Sequence, residues 1–207
     1  MSLSFPLALA EWQDLLRQEE ITFGPDRPEA VQELAGGDSI SARLGPTRWQ
    51  GTLTLAPALH RDSAVVEARL ALLVDQGGSF LLSDPRFAGP AAGLGAGTPT
   101  VASISSDRRE IALAGYTGTI TAGDLLSWTY GSNPVRWTLH RAVTGAVNGG
   151  AFEVTPAVPF GAVTGATVAL QRPVCRARLV AGSVSFGAGR RVRTGGIMMA
   201  WRQMVVR

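Results

Sequence analysis

Cysteine occurs once, as Cys175, so the 207-residue chain can form no disulfide within itself, and a cysteine-based zinc site is not expected. Histidine occurs twice, as His60 and His140. These three residues follow no metal-ligand spacing, so no metal or other cofactor is expected, and both histidines read as structural residues. Lysine is absent altogether, which removes the Walker A phosphate loop. Gly93-Leu-Gly-Ala-Gly is glycine-rich but runs into Thr-Pro-Thr rather than a helix, and reads as a linker. No Gly-x-Ser-x-Gly elbow is present to anchor a serine nucleophile. No apolar run approaches the roughly 18 residues of a membrane span, so membrane insertion is not expected. The mildly apolar start lacks a basic region and is followed by Glu11, Asp14, Glu19 and Glu20, so no signal peptide is read. Charged residues make up 17% of the chain and apolar ones 45%. That balance predicts a folded core rather than disorder.

What is present begins with the arginines, which supply all nineteen basic side chains. Residues 1–100 hold seven arginines and twelve acids; residues 101–207 hold twelve arginines and four acids. From Arg172 onward there are eight arginines and no acid. A basic face of this kind suits nucleic acid. Here, however, the arginines alternate with Val, Leu, Ala and Gly as in a strand, with few aromatics between them. The preferred expectation is one basic sheet face, or a face that meets the acidic half of a neighbouring subunit, without sequence-specific DNA binding.

Along the chain, Leu9, Trp12, Leu15 and Leu16 predict one or two helical turns within 8–18. Ile21–Phe23 and 39–46 read as short strands. In Trp49-Gln-Gly-Thr-Leu-Thr-Leu-Ala, alternation points Trp49, Gly51, Leu53 and Leu55 to one face. A helix is predicted from Asp62, capped by Asp62 or Ser63 and ended by Gly77-Gly78, with Val65, Val66, Leu70, Leu72, Leu73 and Val74 as its apolar stripe. Ser79–Ser83 is a strand closed by Asp84-Pro85. Residues 87–100 read as a linker. Six short strands follow, at Thr100–Ser105, Glu110–Ala114, Leu125–Tyr130, Arg136–Ala142, Ala151–Val154 and Thr167–Gln171. Their spacing predicts a small barrel or sandwich. Asn148-Gly149 is the sharpest hairpin signal. After Pro173 the chain returns to strands, ending in 198–206, whose nearly continuous apolar residues suit a central strand or one buried at an interface, with Trp201 as its anchor. The fold class is mainly β. Residues 1–87 plus 174–207 form one discontinuous domain with one helix, and 88–173 form an inserted small β domain.

In order, Trp49-Gln-Gly-Thr-Leu-Thr-Leu, the helix 62–76, Gly77-Gly78, Phe80, Asp84-Pro85, Ala122-Gly-Asp-Leu125, Leu139-His-Arg-Ala-Val143, Val154-Thr-Pro156, Pro159 and Pro173-Val-Cys-Arg-Ala-Arg-Leu179 resemble the distal tail and tail-tip ring (baseplate) proteins of long-tailed bacteriophages and phage-like particles. The resemblance runs from about residue 45 onward; the first 40 residues match less well. It implies a tail-tube-like β-sandwich or half-barrel with one flanking helix, interrupted by a barrel-like insert that projects outward. It implies a structural virion protein with no catalytic residues, located in the virion tail. Six copies would form a ring, with the tail tube protein above, the tip or hub protein below, and DNA passing through the lumen. A ring of this kind needs two different complementary faces on each copy. Arg176, Arg178, Arg190, Arg191, Arg193 and Trp201 are the candidate subunit-interface residues, since arginine pairs well with carboxylates. The Arg-rich face is expected to point at protein rather than the channel, because phosphate binding would stall transit.

Two other readings stand beside this one. Trp128, Tyr130 and Trp137 in the insert read first as core or hairpin-packing aromatics; alternatively they would form a glycan-binding platform in a carbohydrate- or receptor-binding module. Asp124 and Glu153 would be the carboxylates of a tail-associated hydrolase, although Asp124 has a ready structural job at a turn.

Overall fold

The computed structural model describes residues 3–205. The chain is mainly β, with two buried cores and a sheet around each. In order, two 3-10 turns at Leu9–Glu11 and Gln13–Leu15 precede β1 (Gln18–Ile21), β2 (Gly24–Asp26), β3 (Glu29–Glu33), β4 (Ser39–Arg43), β5 (Arg48–Leu55) and β6 (Ala58–Leu59). Helix α1 (His60–Asp75) and β7 (Ser79–Leu82) follow. The middle of the chain forms β8 (Ala96–Ile104), β9 (Glu110–Thr117), β10 (Thr119–Ile120), β11 (Leu125–Tyr130), β12 (Arg136–Ala142), β13 (Ala146–Val147), β14 (Phe152–Thr155) and β15 (Val168–Ala169). β16 (Cys175–Leu179), β17 (Ser185–Arg190) and β18 (Arg193–Gln203) complete it.

The first sheet runs β1-β5-β18-β16-β7, with β2 beside β5 and both β6 and β17 beside β18. β18 is its central strand, as its apolar run predicts. Thr194, Ile197, Met199, Trp201 and Gln203 are buried on one face, while Met198 and Arg202 are exposed on the other. The buried face packs against α1 and the N-terminal turns, which contribute Val66, Leu70, Leu73, Leu7, Trp12 and Leu16. The opposite face carries Thr52 and Arg202 to solvent.

Gly51 is required where the 22–23 segment crosses β5. A Cβ there would lie 1.8 Å from the Thr22 carbonyl oxygen. Phe23 then reaches Trp49 and Trp201, with ring centroids 5.4 and 4.6 Å away. Gly51→Ala is expected to destabilise the protein by about 1–3 kcal/mol through forced backbone movement, read as a lower urea midpoint.

Helix α1 starts earlier than predicted. Leu59 is its N-cap and makes no side-chain cap bond, while Asp62 sits in the first turn and Ser63 is buried. Only Val66, Leu70 and Leu73 of the expected stripe are buried, and Val65 and Val74 face outward. The C-terminus ends as read: Gly77 takes φ +58°, and the Gly78 N–H donates back to the Leu73 carbonyl.

The six strands predicted in the insert form one sheet, ordered β15-β11-β12-β14-β9-β8. It curls until Thr100 bridges Thr167, leaving a nearly closed, barrel-like sheet. The stretch expected to be linker through residue 100 is already strand from Ala96. Gly97 makes this strand start feasible: a Cβ there would meet the Gly115 carbonyl oxygen at 2.2 Å, and its φ of +91° suits glycine. Asn148 and Gly149 both take positive φ, as a two-residue turn requires. Yet they do not close a simple hairpin. The strand before them, β13, pairs with β10, and the strand after them, β14, pairs with β9 and β12.

Two barrel strands carry both cores. Leu126, Trp128 and Tyr130 point into the barrel, whereas Leu125 and Leu139 belong to the first core. Trp49 crosses the junction, donating its indole N–H to the Leu139 carbonyl at 2.7 Å. The Arg141 guanidinium lies 5.3 Å from the Trp49 ring centroid and 4.0 Å from buried Asp84.

Candidate functional site

The residues of chemical interest are dispersed and structurally occupied. Among the described residues, no group of three or more His, Cys, Asp or Glu is placed to hold a metal ion. Cys175 is buried, and burial pushes its thiol well above the ordinary range, which makes it inert. His140 is wholly buried between β12 and the loop after β14. Its Nδ1–H donates to the Pro156 carbonyl, Nε2 accepts from the Thr138 hydroxyl, and the ring stacks on Trp128 at 4.7 Å. Burial lowers its pKa to about 4, so it is neutral at pH 7. His60 links α1 to the β17–β18 hairpin through the Arg190 carbonyl and the Thr194 hydroxyl, each at 2.8 Å.

The two carboxylates considered for hydrolysis differ in kind. Asp124 is buried, and its oxygens accept the Ala91 and Thr121 backbone N–H groups at 2.9 and 2.8 Å. It therefore pins the incoming linker to the barrel, the structural job its turn position suggested. Glu153 is exposed on β14.

The aromatic platform is not assembled at the surface. Trp128 and Tyr130 are 3% and 7% exposed and fill the barrel interior, so neither offers a ring face to a sugar. Trp137 is half-buried, with the Arg176 guanidinium 5.8 Å from its ring centroid. The most exposed aromatic among the described residues is one that sequence reasoning missed. Phe160, 89% exposed, stands on the loop after β14. Arg108 braces that loop, donating to the carbonyls of Val158, Pro159 and Ala162 at 2.8, 2.6 and 2.9 Å. The flanking Pro159 and Gly161 were the available signal for a rigid loop.

The candidate interface residues separate into four places. Trp201 is 0% exposed and belongs to the first core, so it cannot contact another subunit in this fold. Its apolar context is explained by the central position of β18. Arg176 is engaged within the chain, its Nε donating to the Ser79 hydroxyl at 2.9 Å. Arg190, Arg191 and Arg193 cluster, exposed, at the turn joining β17 to β18. Arg178 is exposed on β16, directly opposite Arg202 on β18. The acidic counterpart is the β3–β4 hairpin, which carries Glu29, Glu33 and Asp38 against Arg43 and is exposed along its whole length. Its two strands pair only with each other among the described residues. The N-terminal turns are tied down differently: Arg172 donates to Asp14 and holds that carboxyl below the usual carboxylate range.

No helix among the described residues is long and apolar enough to cross a membrane. No protein-family model matches the chain, and no curated protein matches it.

Proposed function

We propose that the protein is a structural, non-enzymatic subunit of a ring at the distal end of a phage-type tail, joining the tail tube to the tip or baseplate hub. In this reading the first sheet with α1 is the tail-tube-like ring domain, formed by 1–87 and 174–207. The barrel-like sheet within 88–173 projects as the insert. Six copies close the ring, the tube protein sits on one side and the hub protein on the other, and no cofactor takes part. DNA passes through the lumen without sequence-specific contacts, and the Arg-rich C-terminal strands face protein.

The observation that carries this reading is the pair of opposite, unpartnered surfaces on one chain. An acidic hairpin stands free at β3–β4, and exposed arginines gather on β16–β18. A head-to-tail ring needs two such different faces. Further support comes from the dispersal of the reactive side chains, each of which has a structural partner or an exposed, solitary setting.

The test is antibody labelling of intact particles from a producing strain. Labelling confined to the tail end distal to the head is expected. Labelling absent from particles, or spread along the whole tail, contradicts the proposal.

A further inference from the structure

Arg178 and Arg202 stand directly opposite one another on β16 and β18, and both are exposed. Like charges in that register repel. Among the described residues no carboxylate lies within ion-pair distance of either; Arg202 reaches only the Gln50 amide oxygen, at 3.3–3.4 Å. Between the two arginines and the end of α1 runs a groove of about 490 Å³, walled by Leu73, Val74, Val184 and Phe186. Val74 and Phe186 are 50% and 43% exposed. Beside the groove, β17 is exposed throughout and, among the described residues, pairs only with β18, which leaves its outer edge open to them. The site is apolar, edged by an unpaired strand and rimmed by uncompensated positive charge.

The β3–β4 hairpin has the complementary chemistry. Its register places Ala30 opposite Ala42 and Gln32 opposite Ile40. Leu34 and Leu44 continue the same alternation, which gives the hairpin one apolar face. Ile40, Leu34 and Leu44 are 58%, 44% and 68% exposed, so this face is uncovered within the chain. Asp38 sits beside Leu34 at the turn, its carbonyl accepting the Leu34 N–H, whereas Glu33, paired with Ser39, lies on the other face. Elsewhere among the described residues, no two-stranded sheet that pairs only with itself combines acidic residues with exposed apolar ones.

We infer that the β3–β4 hairpin of one copy seats in the groove beside β17 of the next copy, its apolar face on Phe186 and Val74 and its Asp38 carboxylate on Arg178 and Arg202. This rests on the ring reading above and identifies the contact that builds the ring. Hairpin and groove are different surfaces, so the contact is head-to-tail and propagates from copy to copy until it closes. It also relieves the Arg178–Arg202 repulsion and covers the open edge, both of which the isolated chain leaves unresolved.

Two full-length variants test it, Asp38→Arg and Arg178→Glu/Arg202→Glu. All three positions are exposed, so far-UV circular dichroism matching the wild type serves as the folding control. Each variant alone is expected to fall to the monomer mass under conditions where the wild type is oligomeric. A 1:1 mixture is expected to regain the oligomer, because the reversed hairpin of one variant then meets the reversed groove of the other in alternating order. Independently, Leu34→Cys/Phe186→Cys is expected to give an intermolecular disulfide ladder on non-reducing gels, since the native Cys175 is buried. An oligomer that keeps its mass in both charge variants and gives no ladder overturns the hairpin contact and leaves the ring reading standing. A wild type that is monomeric and gives no ladder overturns both.

Discussion

Trp49→Ala is expected to lower stability by about 3–5 kcal/mol, the range for deleting a fully buried Trp side chain. Trp49 is 0% exposed and packs against Phe23 in the first core. It also donates to the Leu139 carbonyl on β12 and lies under Arg141. Truncation therefore opens a cavity, strands a buried carbonyl and removes a cross-junction contact together. Denaturant unfolding measures the loss as a lower midpoint. Because the residue ties the two cores, the variant is also expected to show a broadened or two-step transition where the wild type shows one. Trp49→Phe separates the contributions: it keeps most of the packing and forfeits the hydrogen bond, for about 1–3 kcal/mol. An alanine variant within about 0.5 kcal/mol of the wild type would show that the junction carries no such coupling.

The second large effect is a pH dependence set by His140. Burial keeps it neutral in the folded state down to about pH 4, against an ordinary value of 6.5. Between those values the unfolded chain binds a proton that the folded chain does not, so stability falls as pH drops from 6.5 towards 4. Below pH 4 both states are protonated and this contribution falls no further. The loss across the window is on the order of 3 kcal/mol. Urea midpoints measured from pH 7.5 to 4 read it directly. His140→Gln is expected to be less stable at pH 7 but to lose this slope. A wild-type profile that is flat across the window would mean that His140 is hydrated in solution.

Strands with one buried face were the most legible in the sequence; of the two fully exposed strands of the first hairpin, β4 was read only because turn residues bound it at 39–46, and β3 was not. β5 shows its alternation plainly because Trp49, Leu53 and Leu55 all turn to the core. The six barrel strands were readable because turn residues separate them at short intervals. β3 escaped because every residue in it is exposed, so no core demand shapes Glu-Ala-Val-Gln-Glu into a recognisable pattern. Helix α1 was placed too late because Asp62 looks like a cap, whereas the chain turns at Leu59 without one.

The functional residues divide in the same way. Of the interface candidates, Arg178 lies at an exposed strand position and Arg190, Arg191 and Arg193 at an exposed turn. Trp201 was over-read, since an aromatic amid a long apolar run marks a central strand as readily as an interface. Trp128 and Tyr130 entered a surface platform only in the alternative reading, through their nearness to the 132–134 loop, and the alternation of β11 points both into the barrel. Arg202 drew no notice, because only the register of β16 against β18 sets it opposite Arg178.

Native mass by light scattering, measured across protein concentration and salt with negative-stain images of the same sample, is the most direct test of ring assembly. A species of about 130 kDa, six copies of the 21.7 kDa chain, is expected, closed as rings and falling towards monomer as salt screens the arginine–carboxylate contacts. A mass fixed at one chain at every concentration and salt, with no rings in the images, would contradict the account.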